Sequence, residues 1–189
     1  MGLLFENHQE DMIASGPRRQ AACAPETSVL EGRVLDQDQD DDRWFALALS
    51  LAEQAGRLGN VPVGAVLVTQ GRVTGLGMNL RESCPDVSAH AEVMALREAG
   101  QRSGAWRHDD ATLYVTVEPC LMCAGAIMQA RVKRVVYGAV EPKTGAHQSR
   151  YRVFDGESTC IEQNLAWAAP CADVMSGFFE ATRARRKRS

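Results

Sequence analysis

Two short segments, far apart in the chain, constrain its fold more than any other feature. The first is His90-Ala91-Glu92 and the second is Pro119-Cys120-Leu121-Met122-Cys123, with 26 residues between Glu92 and Pro119. Together they offer one imidazole, two thiols and one carboxylate, which are zinc ligands and a base. A chain that uses these groups together must fold so that the two segments meet.

Both segments stand where a helix is expected to begin. Cysteines three apart at a helix start share one face, and the positive dipole end there favours the thiolate that metal binding requires. Pro119 helps to set where the second helix begins. A structural zinc usually has four protein ligands, whereas a catalytic zinc has three and leaves one position for water. We therefore predict a catalytic zinc on His90, Cys120 and Cys123, with Glu92 as the proton-transfer group.

The rest of the sequence predicts an α/β layered domain with at least partly parallel strand pairing. Apolar residues at helical spacing predict a first helix from Trp44 to about Gly59, with Asp42 as its N-cap. The stretch 145–170 shows too little apolar periodicity for a helix or a strand to be assigned to it. The elements predicted after the first helix are the strands 63–69 and 72–77 joined by a Gln70-Gly71 turn, the helix 89–99, the strand 112–117, the helix 120–130, the strand 132–138 and the helix 173–186.

Charge divides the chain into two parts. Residues 1–42 hold ten Asp/Glu against three Lys/Arg and show no apolar period, so we predict a disordered acidic extension. The whole chain has a net charge of −3, which leaves +4 for 43–189, the predicted folded domain with its basic C-terminal helix and tail. A mildly basic domain is compatible with an anionic partner. We expect a cytoplasmic protein without membrane contact, because the chain shows no secretory signal and no apolar run near the roughly 20 residues of a membrane span.

Longer matches around the two segments point to a known group. They are Val61–Val68, Ala89–Leu96 and Tyr114–Ala126, which contain the pattern H-x-E…P-C-x-x-C. In these residues the sequence resembles the zinc-dependent nucleoside and nucleobase deaminases, and among them the bacterial tRNA-specific adenosine deaminases. The resemblance covers about residues 43–147, with weaker similarity to 186. It implies a three-layer α/β/α cytidine-deaminase-like fold with a central mixed sheet of about five strands.

The resemblance also implies an activity. It is the hydrolytic deamination of the wobble adenosine of a tRNA, expected to be an arginine tRNA, to inosine with release of ammonia. One zinc ion per subunit would be held by His90, Cys120 and Cys123. Hydroxide would attack C6 of adenine, while Glu92 takes the water proton, gives it to N1 and helps ammonia to leave.

Binding residues are likewise implied by the resemblance. Asn79 would hydrogen-bond the adenine, Val63 would line its pocket, and the N–H of Ala91 would stabilise the tetrahedral intermediate. The protein would be a homodimer in which both subunits touch the tRNA anticodon arm. Contacts with the RNA are expected at Glu141, Lys143, Thr144, Phe179, Arg183 and Arg185.

Three departures from the family pattern lie in the part expected to bind RNA. Glu141 stands where the family has an aspartate, and Gln148-Ser149-Arg150 replaces a Gly-Ser-Leu sequence. The family's Asn-His-Arg stretch is absent around Gln163-Asn164. We therefore expect RNA placement there to differ from the family's.

Several alternatives remain open from the residues alone. Asn79 follows a strand, where asparagine also suits a turn, and a C-terminal run of cations is also typical of a solvated chain end. The cysteine pair would belong to a structural four-ligand site if Cys84, Cys160 or Cys171 joined it. The zinc motif is shared with deaminases of free guanine or cytosine. An inactive RNA-binding zinc module is a further class, which the intact Glu92 disfavours.

Overall fold

The computed structural model describes residues 37–187, with side chains from residue 41 onward. Within this range the chain forms four helices and five strands. In chain order they are α1 (Gln37–Arg57), β1 (Gly64–Thr69), β2 (Arg72–Met78), α2 (Ala91–Ser103), β3 (Ala111–Val117), α3 (Leu121–Gln129), β4 (Arg134–Ala139), β5 (Cys160–Gln163) and α4 (Leu165–Arg186). None of the described helices is long and apolar enough to cross a membrane.

The five strands form one mixed sheet in the order β2-β1-β3-β4-β5. β1 runs antiparallel to both β2 and β3, whereas β3, β4 and β5 are parallel. The antiparallel strands β1 and β2 are joined by a short turn, whereas the parallel strands β3 and β4 are connected through α3 and the parallel strands β4 and β5 through the long segment 140–159. The predicted mixed sheet of about five strands is confirmed.

Alternate residues of each strand face opposite helical layers. On β1, Ala65 and Leu67 belong to the core that α2 and α3 complete, whereas Val66 and Val68 belong to the core that α1 and α4 complete. This division follows from the two-residue period of a strand, which sends successive side chains to opposite faces. The domain is therefore the predicted three-layer α/β/α sandwich.

Glycine in β2 lets α2 lie directly on the sheet. A Cβ atom built on Gly77 would be 1.9 Å from the carbonyl oxygen of Ala91, and one on Gly75 would be 2.2 Å from that of Ala95. No side chain fits at such distances, so glycine is required at this close approach. The first turn of α2, with His90 and Glu92, is thereby held at a fixed position beside the strands.

The prediction of Asp42 as the first N-cap is wrong, because α1 begins at Gln37. Asp41, within the predicted acidic extension, is 5% exposed and accepts hydrogen bonds from the Arg134 guanidinium at 3.1 and 2.8 Å and from the Tyr114 hydroxyl at 2.5 Å. Tyr114 lies on β3 and Arg134 on β4, and together they stabilise the Asp41 carboxylate in a buried position. The acidic residues around Asp41 in the sequence had instead suggested a fully solvated side chain. The rest of the predicted extension, 1–36, lies outside the described residues.

The stretch left unassigned by sequence contains β5 and the start of α4. β5 is four residues long and every residue is half-buried, so it has no alternating pattern to recognise. α4 begins at Leu165, eight residues before the predicted start at Asp173, and the Asn164 side chain caps it by accepting the N–H of Ala166 at 3.1 Å. Pro170 lies inside this helix, although proline usually marks a helix boundary.

Candidate active site

The two predicted helix starts meet in the structure. His90 is the N-cap of α2 and Cys120 is the N-cap of α3, both with extended backbone, at ψ 153° and 172°. Their carbonyl groups accept the first helical hydrogen bonds, from Met94 at 2.9 Å and Ala124 at 2.8 Å. Neither side chain caps its own helix, so the imidazole and the thiol are available to a shared ligand.

The three predicted ligand atoms are spaced as one zinc ion requires. His90 Nδ1 lies 3.7 Å from Cys120 Sγ and 3.5 Å from Cys123 Sγ, and all three atoms lie within 4.8 Å of one another. With Zn–N and Zn–S bonds of about 2.05 and 2.3 Å, tetrahedral coordination gives an N–S separation of about 3.6 Å. The donor set therefore fits zinc. The possible fourth ligands named above, Cys84, Cys160 and Cys171, lie outside this group.

The two thiols of this group have opposite pKa shifts. Hydrogen bonds from Cys123 and His90 lower the pKa of Cys120 to about 4, although burial opposes them. The bond to Cys120, together with burial, raises the pKa of Cys123. The bond to Cys120 also raises the pKa of His90. The three side chains together thus favour a thiolate at Cys120. Zinc binding would release the protons that Cys123 and His90 hold in the absence of the metal.

Glu92 lies in the first turn of α2 and is 4% exposed. Burial raises the pKa of Glu92 to about 7, while hydrogen bonds from its own N–H and from Cys123 act in the opposite direction. A carboxyl group with a pKa near neutrality can both accept and return a proton, as a general acid–base must. Glu92 is therefore suited to proton transfer beside the ligand group.

A cavity of about 170 Å³ opens beside the ligand group. It brings together most of the predicted site residues. These are Val63, Asn79, His90, Ala91, Glu92, Cys120, Glu141 and Thr144. Sequence reasoning missed five further lining residues. They are Val61, Arg81, Val117, Glu118 and Met175.

The sequence contains features that could have identified three of these five residues as candidates for the cavity. Glu118 is a charged residue between a buried strand and Pro119, and Arg81 is a cation two residues after Asn79. Met175 stands four residues before Phe179 within the predicted helix 173–186, so helical spacing places the two on one face. Val61 and Val117 carry no signal that distinguishes them from core residues.

Asn79 serves the turn and also lines the cavity. Its side chain donates to the carbonyl of Val61 at 2.9 Å and accepts the N–H of Arg81 at 3.3 Å. An amide side chain has two donor hydrogens and two acceptor lone pairs, so one of each remains for a ligand. The turn interpretation and the substrate interpretation are therefore compatible.

The residues predicted to bind RNA lie on two elements. Glu141 and Thr144 line the cavity, while Lys143 between them is exposed and donates its backbone N–H to the Glu141 carboxylate at 2.9 Å. This group forms the cavity edge after β4.

The second group lies on α4. Met175 lines the cavity, and the exposed Phe179 and Arg183 follow it at four-residue intervals on the same helix face. Arg185 is exposed too, but it stands two residues after Arg183 and so lies on the opposite side of the helix. The face through Phe179 and Arg183 therefore leads from the cavity to the basic end of the helix.

Comparisons with known proteins agree with this arrangement. A family model described as MafB19-like deaminase matches residues 39–183. The tRNA-specific adenosine deaminase of Haemophilus influenzae is 43% identical over 151 residues, which cover 78% of this chain and 87% of that protein. A solved structure from studies of A-to-I editing by tRNA:A34 deaminases at the wobble position has a TM-score of 0.68 and 41% identity, covering 70% of this chain and 99% of that chain. The structure of a Bacillus subtilis guanine deaminase has a TM-score of 0.50 and 40% identity, covering 52% and 64%.

The layered fold and the grouping of His90, Cys120 and Cys123 beside the cavity, with this family match, define the protein as a deaminase of the MafB19-like class. Similarity to the Haemophilus protein extends over most of both chains. The chain belongs to the family of tRNA-specific adenosine deaminases, as its sequence pattern predicted.

Proposed function

We propose that this protein converts adenosine at the wobble position of tRNA to inosine and releases ammonia. The single observation that supports this most is the convergence of His90, Cys120 and Cys123 beside the buried Glu92, in a chain 43% identical to a tRNA-specific adenosine deaminase. His90, Cys120 and Cys123 would hold one zinc ion per subunit. Zinc there would supply a Lewis acid that lowers the pKa of bound water to about 7.

The residues of the chain divide the chemical work. Glu92 takes a proton from the attacking water and delivers it to N1 of adenine; it then takes the proton of the new C6 hydroxyl and gives it to the C6 amino group, which leaves as ammonia while the C6 carbonyl forms. The N–H of Ala91, in the first turn of α2 where N–H groups have no helical partner, donates to the oxygen that adds at C6. Asn79 uses its remaining donor and acceptor on the base, and Val63 packs against the ring.

The proposed substrate is the anticodon arm of an arginine tRNA. Lys143 and Thr144 at the cavity edge and Arg183 on α4 would contact the phosphate backbone around the flipped-out adenosine. We also propose a homodimer, which agrees with the exposed apolar side chains of Leu121 and Met122, 45% and 36% exposed, beside the metal ligands. A cytoplasmic location is proposed because tRNA is the substrate.

The proposal is tested with purified zinc-loaded protein and an arginine tRNA that carries adenosine at the wobble position. We expect one inosine per tRNA, at that position alone, when the RNA is digested and its nucleosides are measured by mass spectrometry. A tRNA with the same arm and guanosine at the wobble position serves as the control. Unchanged adenosine under zinc-replete conditions would contradict the proposal.

A second candidate is a deaminase of free guanine, which the 40% identity to the Bacillus subtilis guanine deaminase favours. That match covers only 52% of this chain, against 70% for the tRNA deaminase structure. The two candidates give opposite results when the protein is assayed with free guanine and with tRNA. Ammonia released from free guanine, with no inosine formed in tRNA, would support the second.

The basic end of α4 should contribute to RNA affinity through charge. Deleting 183–189 removes five cations, and if each neutralises one phosphate, the slope of log K against log salt should flatten by up to about 3.5, at roughly 0.7 per single-stranded contact. Binding titrations at several salt concentrations measure the slope. Arg72→Gln, an exposed cation at the start of β2, should leave it almost unchanged. An equal slope after the deletion would show that the tail does not contact RNA.

A further inference from the structure

Glu118 is a buried carboxylate that the proposed chemistry does not use. It follows β3, stands two residues before Cys120 and is 2% exposed. Its carboxylate accepts five hydrogen bonds, all from uncharged donors. They are the N–H groups of Glu141 at 3.0 Å, His147 at 3.0 Å, Gln148 at 2.9 Å and Ser149 at 3.1 Å, and the hydroxyl of Ser149.

All five donors come from one segment, residues 141–149, here called the 141–149 loop. The loop turns through a hydrogen bond from the N–H of Gly145 to the carbonyl of Glu141 at 2.8 Å. The N–H of Ala146 donates to the carbonyl of Pro119 at 2.9 Å, beside the metal ligand Cys120. A Cβ atom on Gly145 would be 2.5 Å from the Glu118 carboxylate. The loop is therefore folded closely around this one side chain.

The loop also borders the cavity, which Glu118 itself lines. Glu141 and Thr144 line the cavity, and Lys143 is exposed between them. Glu118 thus connects two parts of the site: the start of α3, which carries Cys120, and the residues proposed to meet RNA.

The second half of the loop is attached to the sheet by His147 and by Gln148, of which Gln148 departs from the family pattern. His147 Nδ1 lies 3.1 Å from the Tyr137 hydroxyl on β4, and Gln148 donates to Gln163 on β5 at 3.0 Å. These contacts lie beyond Gly145. The start of the loop at Glu141, where it borders the cavity, depends on the Glu118 carboxylate for its N–H partner.

We propose that Glu118 is a positioning residue that holds the 141–149 loop in the conformation that binds RNA, and so determines affinity for tRNA rather than the rate of the chemical step. This inference depends on the proposed tRNA function. Without the carboxylate, four backbone N–H groups of the loop, which now donate to it in partly buried hydrogen bonds, lose their acceptor. Donors that are shielded from water and unpaired are unfavourable, so the loop would open towards water.

Glu118→Gln tests this with little change in volume. Glutamine keeps one oxygen and replaces the other by an NH₂ group, which cannot accept from backbone N–H donors. We expect KM for tRNA to rise about tenfold or more, kcat to change by less than about threefold, and zinc to stay at one per chain. Amide hydrogen exchange should become faster in the 141–149 loop and stay unchanged in α2 and α3.

Asp41→Asn is the matched control, because Asp41 is also a buried carboxylate with several donors but lies in the opposite helical layer. It should lower the melting temperature and leave both KM and exchange in the loop unchanged. Ser149→Ala removes only the hydroxyl donor, so KM should rise about two- to threefold. It also tests the proposal if Glu118→Gln does not fold.

Three results would overturn the inference: an unchanged KM in both Glu118→Gln and Ser149→Ala, a fall in kcat together with loss of zinc in Glu118→Gln, or the same KM shift in Asp41→Asn. Failure of the wild-type protein to form inosine would overturn the proposed function instead. The exchange comparison would still report whether Glu118 holds the loop, because it needs no substrate.

Discussion

Glu92→Gln is expected to lower kcat for inosine formation by about 10²–10⁴-fold, the usual contribution of a general acid–base, while the protein keeps its zinc. Glutamine has nearly the volume of glutamate but cannot take a proton from water. Glu92 is 4% exposed and is not one of the three grouped ligand residues, so its replacement leaves neither a large cavity nor a missing ligand. Single-turnover inosine formation and metal analysis of the same sample measure the two quantities.

The matched control is Glu98→Gln on the same helix. Glu98 pairs with Arg102 at 2.5 Å, and its side chain is 30% exposed. We expect its variant to keep activity within about twofold. Undiminished turnover in Glu92→Gln would show that Glu92 is not part of the mechanism. If the wild-type protein bound RNA without turning it over, the alternative of an inactive RNA-binding module would be favoured. Loss of zinc in Glu92→Gln would make the role of this carboxylate structural.

The sequence predicted that His90, Cys120 and Cys123 come together because the determinants of this grouping are mostly local. His90 and Cys120 each stand at a helix start, and the Cys-x-x-Cys spacing brings Cys123 to the same helix face. Only one long-range condition, the meeting of the two helix starts, had to be supplied by the fold. The alternation of strands and helices already implied a sheet on which both helices could pack.

The parts that sequence reasoning placed wrongly or missed depend on distant partners. Asp41 lies in an acidic run that predicts solvated side chains. It is nevertheless buried, because Arg134 on β4 donates hydrogen bonds to its carboxylate. α4 continues through Pro170, against the usual local rule, and packs Cys171 into the core. Glu118 was missed for the same reason, because the five donors that surround it lie 23 to 31 residues further along the chain. Such contacts leave no local period in the sequence.

Cys123→Ser is expected to abolish stable zinc binding, and with it all measurable deamination. The thiolate is the metal ligand, whereas a serine hydroxyl stays protonated at neutral pH and is a poor substitute. Cys123 is fully buried, its sulfur lies 3.5 Å from His90 Nδ1, and among the described residues its ligand group contains no fourth member. We expect bound zinc to fall from one to below about 0.1 per chain after dialysis, as measured by plasma emission spectroscopy. The melting temperature should fall as well, because a ligand that binds only the folded state stabilises it.

The control for this variant is Cys84→Ser. Cys84 is an exposed free thiol outside the ligand group, so its replacement should leave zinc content, melting temperature and inosine formation unchanged. The comparison separates loss of a ligand from a general effect of removing a cysteine. If Cys123→Ser kept one zinc per chain and full activity, the metal would have to be held by a different set of residues. Cys120 and His90 alone supply only two donors, fewer than the three protein ligands of a catalytic zinc.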